Sequence, residues 1–230
     1  RDDPLERLRD PPRNRGGGRG ERLRESGGGI IAGQVQGSFG DHEVGPSRWE
    51  STDEWLKEGP VELSGRILEA VETPGHTAGH LVFHDLEAGL LFAGDHVLPT
   101  ITPSIGFEPV MTANPLGAFL KSLALVRSRP DAVPLPAHGP VKPSVHARVD
   151  QLLEHHRCRL DETEAAVHSG AGNAYEVGGM LRWTRREHKL SELDTFNAML
   201  AVLETGTHLD LLVAQGRLKM PVVDGIRAYG

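Results

Sequence analysis

Three short segments constrain this chain more than anything else in it: Thr73-Pro74-Gly75-His76-Thr77-Ala78-Gly79-His80, Phe92-Ala93-Gly94-Asp95-His96 and Pro136-Ala137-His138-Gly139. Each places a metal-competent side chain in a glycine-bearing loop at the end of an apolar, strand-like run. Strand ends on a rigid sheet can aim side chains from distant parts of a chain at one point. Two imidazoles and a carboxylate gathered in this way are the donors of a zinc-type hydrolytic site. The candidate ligands are therefore His76, Asp95 and His138, spaced 19 and 43 residues apart.

The runs around these segments predict their elements. Val61 to Leu63 and Ile67 to Glu72 read as paired strands about the Ser64-Gly65 turn, and His80 to His84 pairs with Leu90 to Ala93 across Glu87-Ala88-Gly89. Asn114-Pro115 is an N-cap followed by proline at the first helical position, and Leu116, Phe119, Leu120 and Leu123 recur at helical spacing behind it. Ala132 to Leu135 is a short strand that delivers His138. A long helix follows from about Ser144 and stops at Gly170. Strands, helix, strand and long helix in this order predict a layered α/β domain.

The two ends differ from the middle. Residues 1–45 hold eleven glycines, and eight arginines fall within the first 24 positions, with almost nothing apolar before Ile30. Such a composition predicts disorder, because little burial offsets the ordering entropy. After residue 170, helical runs over Ala174 to Trp183 and Leu193 to Gln215, the second broken near Gly206, precede a hairpin signal at Val223-Asp224-Gly225. Helices followed by a hairpin predict a small winged-helix unit. The expected division is a disordered segment at 1–45, a catalytic-type domain at 46–170 and a winged-helix domain at 171–230.

Composition sets limits on function. The net charge of −7 provides no global field for nucleic acid. A local cluster of Arg182, Arg185, Arg186, Lys189, Arg217 and Lys219 keeps RNA as an alternative partner. Cys158 is the single cysteine, which excludes an internal disulfide and fits the cytoplasm. No apolar run is long enough to span a bilayer, so no membrane role is expected.

On the three segments, the chain resembles the metallo-β-lactamase superfamily of metallohydrolases, from about residue 50 to the C-terminus. Leu181-Arg182-Trp183-Thr184-Arg185-Arg186, Leu193-Asp194 and His208-Leu209 further resemble the winged-helix appendix of the β-lactamase-like protein 2 type. The resemblance implies an αββα sandwich, here incomplete, with His76 on the first metal, Asp95 bridging and His138 on the second. It also implies two zinc ions in intact relatives and a metal-bound hydroxide that attacks an ester, thioester, lactam or phosphodiester. The family's His-x-His-x-Asp-His cluster has no counterpart here; Asp41-His42 echoes its end but lacks the two preceding histidines. Three of seven expected ligands remain, which predicts one zinc or none and weakened hydrolysis, with a small ester or thioester as substrate. A non-catalytic, truncated paralogue is the further alternative. Lacking partner strands, the run at 80–84 would expose an edge, which predicts poor solubility or a homodimer.

Overall fold

The structure, a computed structural model, describes residues 17–38, 54–108 and 112–230. Two helices come first, α1 (Gly17–Glu25) and α2 (Gly29–Ser38). Strands β1 (Gly59–Leu63), β2 (Arg66–Glu72), β3 (Leu81–Asp85) and β4 (Leu90–Gly94) follow, then α3 (Pro115–Ser128), β5 (Val133–Pro136) and α4 (Val145–His168). The chain closes with α5 (Ala174–Met180), a 3-10 turn at Leu190–Glu192, α6 (Thr195–Ala214) and a hairpin of β6 (Val222–Val223) and β7 (Ile226–Arg227).

The five longer strands form one sheet in sequence order, antiparallel until β5, which joins β4 in parallel. A parallel neighbour requires a crossover, and α3 supplies it. Because side chains alternate along each strand, the register sorts the sheet into two faces. Val71, Val82, Leu91 and Ala93 lie on one face, in a buried cluster with Leu116, Phe119 and Leu123 of α3 and Val149 and Leu152 of α4. The other face carries the row Ala70, Phe83, Phe92 and Leu135, with Phe92 41% exposed. Among the described residues this five-stranded sheet thus has helices against one of its faces. β3 lies between β2 and β4, so the run at 80–84 is not the exposed edge expected from the sequence; β1 and β5 are the edges.

Helix starts follow their caps. Asn114 accepts from the Gly117 amide at 2.8 Å, and Ser144 from the Ala147 amide at 3.1 Å. Gly170, at φ 104°, ends α4. The expected break near Gly206 does not occur: α6 is continuous, and Gly206 lies on a packed stretch where Thr205 and His208 bond the carbonyls of Ala201 and Glu204 one turn back. Tertiary packing overrides the low helix propensity of one glycine.

Disorder over 1–45 is not what residues 17–38 show. Leu23 is fully buried, and Ile31 and Ala32 join the same core as α6. The arginines that read as solvated act as donors: Arg19 Nε bonds Phe107 O at 2.9 Å, and Arg22 reaches Gly106 O at 2.9 Å and Glu108 O at 2.8 Å. Arg19 also stacks 4.1 Å over the Phe107 ring. The remaining residues of that segment, Asp41-His42 among them, lie outside the described residues. At the other end, α5 and α6 bury their apolar side chains in the core shared with α3 and α4, and Leu218 and Tyr229 on either side of the hairpin join it while Val222 and Val223 stay exposed, so the boundary expected near residue 170 is not a break in the core.

Inside this core, His156 of α4 and His208 of α6 stack at 5.3 Å, Nδ1 to Nε2 at 3.2 Å. Burial above all holds both imidazoles well below their ordinary value of 6.5, with Arg159 adding to it, while the Glu204 carbonyl bonded to His208 acts the other way. Both are therefore neutral in the fold, while the unfolded chain takes up protons below about 6.5. Their contribution is present above that pH and is lost as pH falls, on the order of 1 kcal/mol per pH unit for each group. Burial raises the Glu204 carboxyl to about 7, which works with the opposite sign. His156→Leu is expected to flatten the acid-side decline, read as urea midpoints at several pH values from neutral downwards; an unchanged slope would contradict the neutral pair. Leu23→Ala is expected to cost about 2–5 kcal/mol in urea unfolding, as for a packed core leucine; no change would restore the disordered reading.

Candidate functional site

Each candidate ligand sits where a strand ends against α3 or a neighbouring strand. After β2 the chain turns through Thr73 to His80, closed by Thr73 N to His80 O at 2.8 Å and Gly75 N to Thr77 O at 3.1 Å. From α3, Ser122 Oγ donates to Pro74 O at 2.9 Å. Gly75 has φ 144°, and a Cβ there would collide with Phe119 Cβ and its backbone, so only glycine lets this loop lie on α3. His76 follows, with Nδ1 bonded to Ser104 O at 2.8 Å. That contact fixes the ring and leaves Nε2 as its outward nitrogen, the usual arrangement of a ligating histidine.

Asp95 and His138 are brought together by the β4–β5 pairing. Gly94 is opposite Pro136, and Ala137 N donates to Gly94 O at 2.9 Å. Gly94 turns the chain out of the strand at φ 51°. His138 Nε2 and Asp95 Oδ1 then stand 3.4 Å apart. His76, Asp95 and His138 all line one cavity of about 1490 Å³, which extends along α4 to the 181–188 segment.

His80, which matched no ligand position in the sequence, packs beneath this rim. Its Nδ1 is 2.9 Å from Thr73 Oγ1, and its Nε2 lies so close to Gly94 that a Cβ there would approach within 2.9 Å. Burial, with the neighbouring His76, lowers its pKa, and Asp95 acts the other way. The four-residue spacing from His76 was the only trace of this in the sequence. Ser104 left no trace, because its part is played by a backbone carbonyl.

The donor types suit a metal, but their geometry does not yet enclose one. Among the described residues no group of three His, Cys, Asp or Glu side chains converges closely enough to hold an ion. On those residues alone a metal does not fit. The C-terminal basic cluster also divides, since Arg217 is paired with Asp161 at 3.2 Å and Glu164 at 2.5 Å.

Residues 6–152 match the family model of the metallo-beta-lactamase superfamily. The chain belongs to that superfamily. The match begins upstream of residue 50, where the resemblance was expected to start, so it takes in the arginine- and glycine-rich segment. Lactamase-like protein adaB of Aspergillus niger is 28% identical over 60% of this chain and 39% of its own length. The beta-lactamase-like protein 2 homolog of Caenorhabditis elegans is 30% identical over 53% of this chain and 38% of its own. A beta-lactamase domain protein from Burkholderia ambifaria superposes with TM-score 0.72 at 29% identity, over 87% of this chain and 57% of that one. A metallo-beta-lactamase family protein from Thermus thermophilus gives TM-score 0.61 at 28% identity, over 76% of this chain and 52% of that one. The chain therefore spans well under half the length of these curated relatives and just over half of these structures.

The loop that carries His76 supplies a direct test. Gly75→Ala forces a side chain into Phe119 and is expected to cost about 1–3 kcal/mol of stability as an overpacked, strained site. Gly79→Ala, with open space around it, is expected to stay within about 0.5 kcal/mol of the parent. Equal melting temperatures for both variants would contradict the close packing of this loop on α3.

Proposed function

We propose that this chain carries part of a metal-dependent hydrolytic site, to which it contributes His76, Asp95 and His138 as ligands. The observation that supports this most is the meeting of Asp95 and His138 at 3.4 Å on the rim of the cavity that His76 also lines. Membership of the superfamily supports metal-dependent hydrolysis, and on this reading the bond is an ester, thioester, lactam or phosphodiester, with a small ester or thioester as the substrate. By itself the described donor set hydrolyses weakly or not at all, since a metal site also needs further ligands and fixed geometry.

Within this reading the residues divide the work. Ser104 O holds the His76 ring, and the β4–β5 pairing holds Asp95 against His138. Leu98 and the 100–104 segment line one side of the cavity. A cytosolic setting goes with the proposal, because one free cysteine asks for no oxidising compartment. No helix among the described residues is long and apolar enough to cross a membrane.

Elemental analysis of the chain, after equilibration with zinc and gel filtration, tests the incomplete site. The expected content is below about one zinc in ten chains, as for a site short of its ligands. Weak zinc uptake in equilibrium dialysis is expected to fall by about tenfold or more in Asp95→Asn. One or more tightly held zinc ions per chain would overturn the incomplete site, and uptake unaffected by Asp95→Asn would overturn the ligand assignment.

A further inference from the structure

The cavity that the metal-type donors line is also walled by arginines. A single stripe of α4 lines it: Arg148, Leu152, His155, Arg159 and Glu162, spaced at three, four and seven residues so that they share one helix face. Facing that stripe is the segment from Leu181 to His188, which carries Arg182, Arg185 and Arg186 on the cavity wall. This segment is built rather than loose. Trp183 and His188 exchange backbone bonds at 2.8 Å, the Trp183 indole donates to Gly178 O at 2.8 Å, and Arg159 stacks 4.5 Å over the Trp183 ring. Between those anchors Thr184 and Glu187 are held at φ 62° and 58°, conformations that side chains rarely adopt and that favour functional turns.

Most of the charges on this wall are not balanced by contact. Arg159 bonds Glu162 at 3.1 Å. Arg148, however, spends its donors on neutral groups: Leu98 O at 2.6 Å, Ile101 O at 2.9 Å and Gln151 Oε1 at 3.1 Å. Arg185 bonds Thr100 O on the same loop. Arg148, Arg182, Arg185 and Arg186 make no ion pair among the described residues. Arg148 is half-buried, and both its burial and the nearby Arg185 lower its pKa, the mark of like charges crowded together without a counterion. Asp95, Glu162, Glu187 and Glu204 also line the cavity, but none bonds this pair. Each guanidinium has five N–H donors, so Arg148 keeps two to spare and Arg185 four.

We propose that Arg148 and Arg185, with Arg186 beside them, form an oxyacid-binding subsite where they grip the 98–101 segment, in the cavity that His76, Asp95 and His138 also line. The substrate would be a small ester or thioester that carries a carboxylate or phosphate besides its reacting bond. Paired guanidinium forks match either oxyacid. The occupant is a small molecule and not a polynucleotide: the net charge of −7 opposes a long polyanion, and one oxyacid group needs only the local pair. This assignment rests on the hydrolase reading for the substrate's reacting bond, but binding can be measured without turnover.

Isothermal titration calorimetry on the whole chain, in EDTA at constant ionic strength, with inorganic phosphate and separately succinate as probes, tests it. Binding of at least one probe is expected, with Kd on the order of 1 mM; the probe that binds tells phosphate from carboxylate. The double variant Arg185→Gln/Arg186→Gln, checked for unchanged melting temperature, is expected to weaken that binding by about tenfold or more. Arg127→Gln, outside the cavity and paired with Asp150, is expected to leave it unchanged. Silence with both probes up to about 10 mM, or equal affinity in the double variant, overturns the subsite. A chain that binds a probe yet takes up zinc equally well in the parent and in Asp95→Asn would leave the subsite standing and sink the ligand assignment alone.

Discussion

The parallel pairing of β4 with β5 is the constraint on which the site depends. Asp95 and His138 are 43 residues apart, and nothing local holds them together. The register that sets Gly94 against Pro136, sealed by Ala137 N to Gly94 O, leaves the two side chains side by side as the strands end. That register depends in turn on α3, the crossover between the strands, which buries Leu116, Phe119 and Leu123 against the inner face of the sheet. Phe119 also receives the His76 loop directly, at Gly75. One helix therefore connects the two strands that present Asp95 and His138 and supports the turn that presents His76.

The cavity has a second wall that the sheet does not provide. α4 leaves β5 and exposes one stripe to the cavity, while α6 and the 181–188 segment close the opposite side. The N-terminal helices stabilise that side, because Leu23, Ile31 and Ala32 pack with α6 and Arg22 bonds the 106–108 loop. Charge and packing are linked there: guanidinium groups bond loop carbonyls instead of carboxylates, which leaves positive charge free at the cavity surface.

Much of this was legible in the sequence, and the exceptions have a common cause. The strands were legible as short apolar runs between turns, α3 and α4 from Asn114-Pro115 and Ser144, and the loop positions of His76, Asp95 and His138 from the strand-like runs before them. All of these are local signals. What escaped depends on distant partners. Residues 17–38 carry too few apolar groups to fold alone, and their helices become visible only once the carbonyls of Gly106, Phe107 and Glu108 are available to Arg19 and Arg22. Gly206 looked like a break because its low propensity is local, whereas the packing around α6 is not. The grip of Ser104 on His76 needs a folded loop, and the arginine wall joins positions on α4 to others beyond residue 180.

Asp95 and His138 must meet at the ends of two parallel strands for this site to exist. Nuclear Overhauser spectroscopy on the isotopically labelled chain measures that meeting most directly. A cross-peak between the His138 ring protons and the Asp95 β-protons is expected, since Nε2 and Oδ1 are 3.4 Å apart. If both resonances are assigned and no such cross-peak appears, β5 does not lie beside β4 in this register, and the site described above does not exist.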